Sequence, residues 1–278
     1  MFNLNSIKMK ITRSLYLIVL VLTISSFTKT SSNSIIATKS VAVEREFYQL
    51  KTYILKSDQQ VETTDKYLKE AFIPSLKKLG IKAIGVFKPI KNENDSIKKI
   101  IVLIPFSSMS QFLSLDEKLA RDKTYLAAGA DYLNSSYKQP PYKRIESILL
   151  KAFPDHPILI PSKLDGPRAN RIYELRSYES ATEAYYKNKV DMFNAGGEIK
   201  LFNRLGCNAV FYAEVISGTK MPNLMYMTTY ANQESRDAHW KAFSSSPEWK
   251  SLIAMEKYKN NVSHIDITFL YPTEYSDY

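Results

Sequence analysis

The sequence predicts an α+β protein: two βαββαβ units in tandem, with their sheets packed together as a barrel inside one chain. Three observations carry that prediction. Phe47-Tyr-Gln-Leu-Lys-Thr-Tyr53 returns 125 residues later as Ile172-Tyr-Glu-Leu-Arg-Ser-Tyr178, with the same order of aromatic, acidic or amide, leucine, basic, hydroxyl and aromatic residues. Later landmarks keep nearly that spacing: Leu79-Gly80 against Leu205-Gly206, and the apolar run ending in Ile104-Pro-Phe106 against the run ending in Thr228-Thr-Tyr230. A length of 278 residues, with 45% apolar and 24% charged residues, suits two folded domains with cores of their own.

In the first half, residues 42 to 154, Glu46 to Ile54 is rich in aromatic and apolar residues and reads as a strand. Tyr67, Leu68, Phe72, Leu76 and Leu79 recur at helical spacing through Gln60 to Leu79, and Gly80 supplies a stop. Ile81 to Lys88 and Lys98 to Phe106 are strands around the polar turn at 92–96. A broken helical region runs from Ser108 toward Tyr132, and Tyr142 to Phe153 closes the unit. The second half, residues 168 to 278, repeats the order. It has strands at Asn170 to Tyr178, Asn208 to Val215, Leu224 to Tyr230 and His264 to Tyr271, with helical segments at Thr182 to Leu205 and Ser235 to Lys257. Gly196-Gly197 weakens the first of those helices, and Pro247 is expected to start a new turn. Residues 155 to 167, punctuated by proline, are expected to be a stiff spacer with His156 exposed on it. Strand, helix, strand, strand, helix, strand is the order of a ferredoxin-like unit, whose two helices cover one face of its sheet. The other face cannot stay broadly apolar in water, so two tandem ferredoxin-like βαββαβ units are expected to pack their sheets as an intrachain α/β barrel.

The second half carries a more specific likeness. Tyr173-Glu-Leu-Arg-Ser-Tyr178, the Leu205-Gly206 helix end, Leu224-Met-Tyr-Met-Thr-Thr-Tyr230, Arg236-Asp-Ala-His-Trp240 and Pro247-Glu-Trp249 resemble the NIPSNAP family, within the dimeric α/β-barrel group. The resemblance covers nearly all the chain after its first residues and is weaker in the first half, where Phe112 to Tyr132 holds no tryptophan. It implies a fold more directly than a reaction.

Residues 1–32 place Lys8, Lys10 and Arg13 before the apolar stretch Leu15 to Ile24 and then a Ser/Thr-rich run, the layout of a secretory signal. Secretion or a periplasmic location is the expectation, with retention as a membrane anchor the alternative. Without this segment the formal charge falls from +10 to +6, an ordinary value for solubility. No basic stripe or nucleic-acid-binding motif accompanies it, so no nucleic-acid partner is expected. A single cysteine, Cys207, excludes an intramolecular disulfide framework and multi-thiolate clusters. Burial is the favoured role for Cys207. Neither a P-loop nor a dinucleotide fingerprint surrounds Gly196-Gly197. No cofactor and no metal site is therefore expected.

Strand alternation puts Glu174, Arg176 and Tyr178 on one face. Together they suit a polar cavity in which Arg176 holds an anionic ligand, Glu174 orients it and Tyr178 donates a hydrogen bond. The competing reading is that Glu174 and Arg176 satisfy each other. Arg236 precedes His239 by three residues on an expected helix, so both could face a common opening beside Trp240. His239 suits a structural role, a ligand contact or, least of all, metal or haem ligation. Trp240 and Trp249 would wall a pocket over the sheet or fill the core beneath a helix. Two functions fit. The first is a binding or interaction module for a small hydrophobic-anionic ligand or a protein partner, with self-association left open. The alternative is a small-molecule enzyme of monooxygenase, isomerase or lyase type using the barrel cavity. A deep polar pocket at Arg176, Tyr178 or His239 would favour the enzyme, and a filled sheet interface the module.

Overall fold

The structure, a computed structural model, describes residues 44–90, 97–161 and 163–278. The segment read as a secretory signal and the turn at 92–96 lie outside these residues. The first half runs β1 (Phe47–Leu55), α1 (Asp58–Tyr67), a π-helical turn (Leu68–Phe72), α2 (Ile73–Lys78), β2 (Gly85–Pro89), β3 (Lys98–Phe106), the short helices α3 (Met109–Leu113), α4 (Leu115–Ala120), α5 (Lys123–Ala128) and α6 (Ala130–Leu133), then β4 (Arg144–Ala152). The second half runs β5 (Ile172–Glu179), α7 (Glu183–Phe193), α8 (Glu198–Arg204), β6 (Asn208–Ser217), β7 (Asn223–Tyr230), α9 (Gln233–Ser245), α10 (Pro247–Ala254) and β8 (His264–Pro272).

Local chemistry sets the helix ends. Ser57, Ser108, Thr182, Asn232 and Ser246 each sit in extended backbone and accept a hydrogen bond from the free N–H groups of the turn that follows. The helix expected over Gln60 to Leu79 contains a wide π turn just before Pro74, a residue with no N–H to give the helical ladder. The helix expected over Thr182 to Leu205 is two helices. Gly197 has φ of 87°, and a Cβ on Gly196 would lie 2.5 Å from the Met192 carbonyl oxygen, so only glycines permit the bend between α7 and α8.

Each half orders its strands in the ferredoxin-like way, β4-β1-β3-β2 and β8-β5-β7-β6, with antiparallel neighbours. The halves then join edge to edge. β2 pairs with β8 through Phe87↔Pro272 and Lys88↔Tyr271, and β4 pairs with β6 through Leu150↔Val215, so the eight strands close one barrel. Closure removes the strand edges that either unit would expose alone.

Three apolar layers follow. The barrel interior is filled by side chains from both halves, among them Leu50, Phe87, Leu103, Leu150, Leu175, Phe211, Met227 and Leu270. Each such side chain removed from water stabilises the fold by about 1.5–3 kcal/mol. A second layer lies between the first sheet and its helices, around Tyr53, Phe72 and Ile100. A third, around Phe193, Phe202 and Tyr226, lies beneath α7 to α10.

The connector departs from expectation. The segment expected to be a stiff spacer packs against the barrel: Glu46 N–H donates to Pro157 O (2.9 Å), Ile160 N–H to Val210 O (3.1 Å), and Leu159 enters the barrel interior. His156 is therefore buried, only 6% exposed, with its ring edge-on to Tyr212 at 5.3 Å. Proline spacing marks the turns of such a segment but carries no sign of what the turns lie against. No helix among the described residues is long and apolar enough to cross a membrane.

Candidate functional site

β5 presents its two faces to different layers. Tyr173 and Leu175 point into the filled barrel, whereas Glu174, Arg176 and Tyr178 point outward beneath α9 and α10. Alternation therefore groups the side chains as expected, but the face they share is the helix-covered one and not the one between the sheets.

Glu174 is fully buried and is the hub. Its Oε1 accepts from Arg176 Nε (2.6 Å) and Arg236 Nη2 (2.9 Å), and its Oε2 accepts from Arg236 Nε (2.8 Å) and Trp240 Nε1 (2.8 Å). Burial pushes the carboxyl pKa up, and the hydrogen bonds and charges of Arg236 and Arg176 outweigh it, so Glu174 titrates below its usual range. The Arg176 guanidinium carbon lies over the Trp240 ring, 3.7 Å from its centroid, and the side chain donates to the Tyr178 hydroxyl (3.1 Å). Tyr178 in turn shares a hydrogen bond with Tyr226 (2.8 Å). Arg236 is more open and also donates to Asp237, whose side chain is 58% exposed.

The remaining candidates sit around this hub without all joining it. Trp249 packs on Phe243 at 4.6 Å, and Trp240 meets Phe202 edge-on at 5.8 Å, so both tryptophans wall the space under the helices. His239 turns away from Glu174: its Nδ1 lies 2.6 Å from the Ser235 carbonyl, which sets the proton on that nitrogen, and its ring lies 5.6 Å from Tyr230. Cys207 is buried, and desolvation pushes its thiol up to about 11. His264 is exposed at the start of β8. With Glu179 and Asp266 it forms a group of potential metal ligands, but the Lys220 ammonium already pairs with both acids, 2.5 Å from Asp266 and 3.5 Å from Glu179.

Sequence reasoning missed two parts of the site. Tyr226 lies directly opposite Arg176 in the β5–β7 register, a relation that aligning the two strands would have exposed. Lys189 and Glu198 form a buried ion pair (2.7 Å), with the ammonium over the rings of Phe193, Tyr178 and Trp249. Both residues look like ordinary helix-surface charges in the sequence. Burial still pushes Glu198 above the usual carboxylate range, against the pull of Lys189.

The fold and this site define a tandem α/β-barrel protein whose second unit carries a buried charged cluster between sheet and helices. Residues 173–277, within that second unit, match the NIPSNAP family model. Among solved structures, a candidate monooxygenase from Fusobacterium nucleatum aligns with 83% of this chain and 93% of its own at 10% identity and a TM-score of 0.54. Another from Lactobacillus acidophilus aligns with 82% and 94% at 14% identity and a TM-score of 0.51. A NIPSNAP-like domain protein from Burkholderia xenovorans aligns with 40% of this chain and 91% of its own, at 16% identity and a TM-score of 0.36. The first two share the α/β-barrel fold. No curated protein sequence matches the chain.

Proposed function

We propose that the protein is a binding module for a small hydrophobic anion, held by the second unit at the edge of the Arg176–Arg236–Trp240 cluster. The observation that carries this reading is a charge imbalance: two guanidiniums share one buried carboxylate beside an aromatic wall. Arg236 also meets Asp237, but that carboxylate is 58% exposed and screened by water, so the buried part of the cluster keeps one positive charge in excess, where an incoming carboxylate or sulfonate gains more than it would in bulk water. Trp240, Phe269 and Trp249 offer apolar surface for the rest of the ligand. The basic and apolar start of the chain adds the proposal that this binding takes place outside the cytoplasm.

The test is titration with octanoate, 1-naphthoate and the fluorescent sulfonate ANS, followed by calorimetry and fluorescence. Arg176→Ala and Arg236→Ala are expected to weaken binding at least about tenfold, while the methyl ester of octanoate binds no variant. Equal affinity in wild type and both variants would overturn the reading. Conversion of a bound acid to product would replace the module with an enzyme.

A further inference from the structure

Two grooves border α1 and share Lys66. One, of about 840 Å³, lies between the start of the helix and the chain at 135–141. The other, of about 610 Å³, lies between the end of α1 with its π-helical turn and the chain from Tyr271 to Tyr275. The helix sequence makes them. Gln59, Glu62, Thr63, Lys66, Lys69 and Glu70 recur at helical spacing as a polar stripe that lines the grooves, while Thr64, Tyr67, Leu68 and Ala71 are buried on the other face. Both facing walls are fastened to the helix. Gln60 Nε2 donates to Pro140 O (2.9 Å) and Thr64 Oγ1 to Pro141 O (3.1 Å). On the second groove, Lys88 Nζ (2.5 Å) and the Tyr275 hydroxyl both donate to Asp65. The grooves are therefore formed before a ligand arrives, which spares it the cost of ordering them.

The lining chemistry narrows the occupant. Five carboxylates and four lysines border the two grooves together, so neither an anion nor a cation meets a strong field of opposite sign. Amides and hydroxyls, among them Gln59, Thr63, Ser136 and Gln139, add groups that both donate and accept. The side chains of Glu62, Lys69 and Gln139 make no hydrogen bond among the described residues, so they are open to an incoming partner. Two aromatic rings stand in water beside these groups. Tyr137 is fully exposed between Ser136 and Lys138, which both line the first groove, and Tyr271, 40% exposed, lines the second. Such rings offer broad, rigid contact area at little entropic cost. A ligand suited to these walls is uncharged, rich in groups that donate and accept, and apolar on one face. Those are the properties of a sugar ring, and two grooves meeting at one residue suit several linked sugars better than one.

We infer that α1 and its two grooves bind a neutral oligosaccharide, with sugar rings against Tyr137 and Tyr271 and sugar hydroxyls paired with Glu62, Lys69 and Gln139. The probes are maltohexaose, cellohexaose and xylohexaose, titrated into the full chain by calorimetry, with glucose as the short control and trigalacturonate as the charged one. At least one hexasaccharide is expected to bind with a Kd below about 1 mM, and glucose at least about tenfold more weakly. Tyr137→Ala and Tyr271→Ala should each weaken that binding at least about tenfold. Tyr137→Ala should also keep the melting temperature of wild type, because its ring is fully exposed. Arg176→Ala, which disables the separate anion site under α9, should leave oligosaccharide binding unchanged, so the two sites succeed or fail independently. The inference is overturned if none of the three hexasaccharides binds at about 10 mM, a concentration that would detect even weak affinity. It is equally overturned if either tyrosine variant binds like wild type, or if glucose or trigalacturonate binds as tightly as the neutral chains.

Discussion

Glu174 on β5 and Arg236 on α9 form a two-point pair, Oε2 to Nε at 2.8 Å and Oε1 to Nη2 at 2.9 Å, that fastens the helix to the sheet. The same carboxylate also holds Arg176, so it compensates two cations while wholly shielded from water.

Glu174→Gln should therefore destabilise the protein by about 3 kcal/mol, because it leaves the buried Arg176 guanidinium without its counter-charge and Arg236 with only the exposed Asp237. The pH dependence follows from the depressed pKa of Glu174. Its contribution is present above the ordinary carboxylate range and is lost as pH falls through the lower folded value. Urea midpoints of wild type and variant should be well separated at neutral pH and converge in acid. A constant gap across that range would contradict the ion-pair role.

Lys189 and Glu198 should behave in the opposite sense. Lys189→Met strands a buried carboxylate and should cost about 3–5 kcal/mol, whereas Lys189→Met with Glu198→Leu should recover most of that loss. Glu198 has a raised folded pKa, so its protonation favours the fold: the favourable effect is complete below the unfolded pKa and disappears as pH rises through the folded one. Denaturation of the single variant across mildly acidic pH should show stability rising as pH falls.

His156 gives a separate signature near neutrality. Burial pushes its pKa below the ordinary value of about 6.5, so stability is full above that value and declines as pH drops through the folded pKa. His156→Gln should flatten the slope of the urea midpoint against pH in this window. An unchanged slope would mean that the imidazole is solvated in solution.

Cys207 should be chemically silent in the native state. Its thiol is buried and shifted to about 11, so Ellman's reagent should fail to label it until denaturant exposes it. Rapid labelling of folded protein would show that the layer beneath α8 opens readily.

Much of this architecture was legible in the sequence. The 125-residue repeat and the alternation in Glu174, Arg176 and Tyr178 follow from chain periodicity, and β3 is found at Lys98–Phe106, the span read from composition alone. What could not be read depends on distant neighbours. Which face of β5 meets helices and which meets the other sheet is decided only when β2 meets β8 and β4 meets β6. His156 is buried because its segment lies along β6, a relation that no local pattern of prolines encodes. Glu198 and Lys189 have no polar neighbours in sequence that would mark them as a buried pair.

A barrel assembled from two identical chains must carry every substitution twice, once in each wall. Here the walls are separate stretches of a single chain, and they have diverged: Gln49, Lys51 and Tyr53 stand where the second unit has Glu174, Arg176 and Tyr178. Gln49 bonds to Ser147 Oγ (2.8 Å), and Lys51 rests over the rings of Tyr53 and Phe72, so no carboxylate hub forms on that side. One unit is thereby free to keep the closed sheet intact while the other accumulates the charges of a site, a division of labour that strict twofold symmetry would forbid.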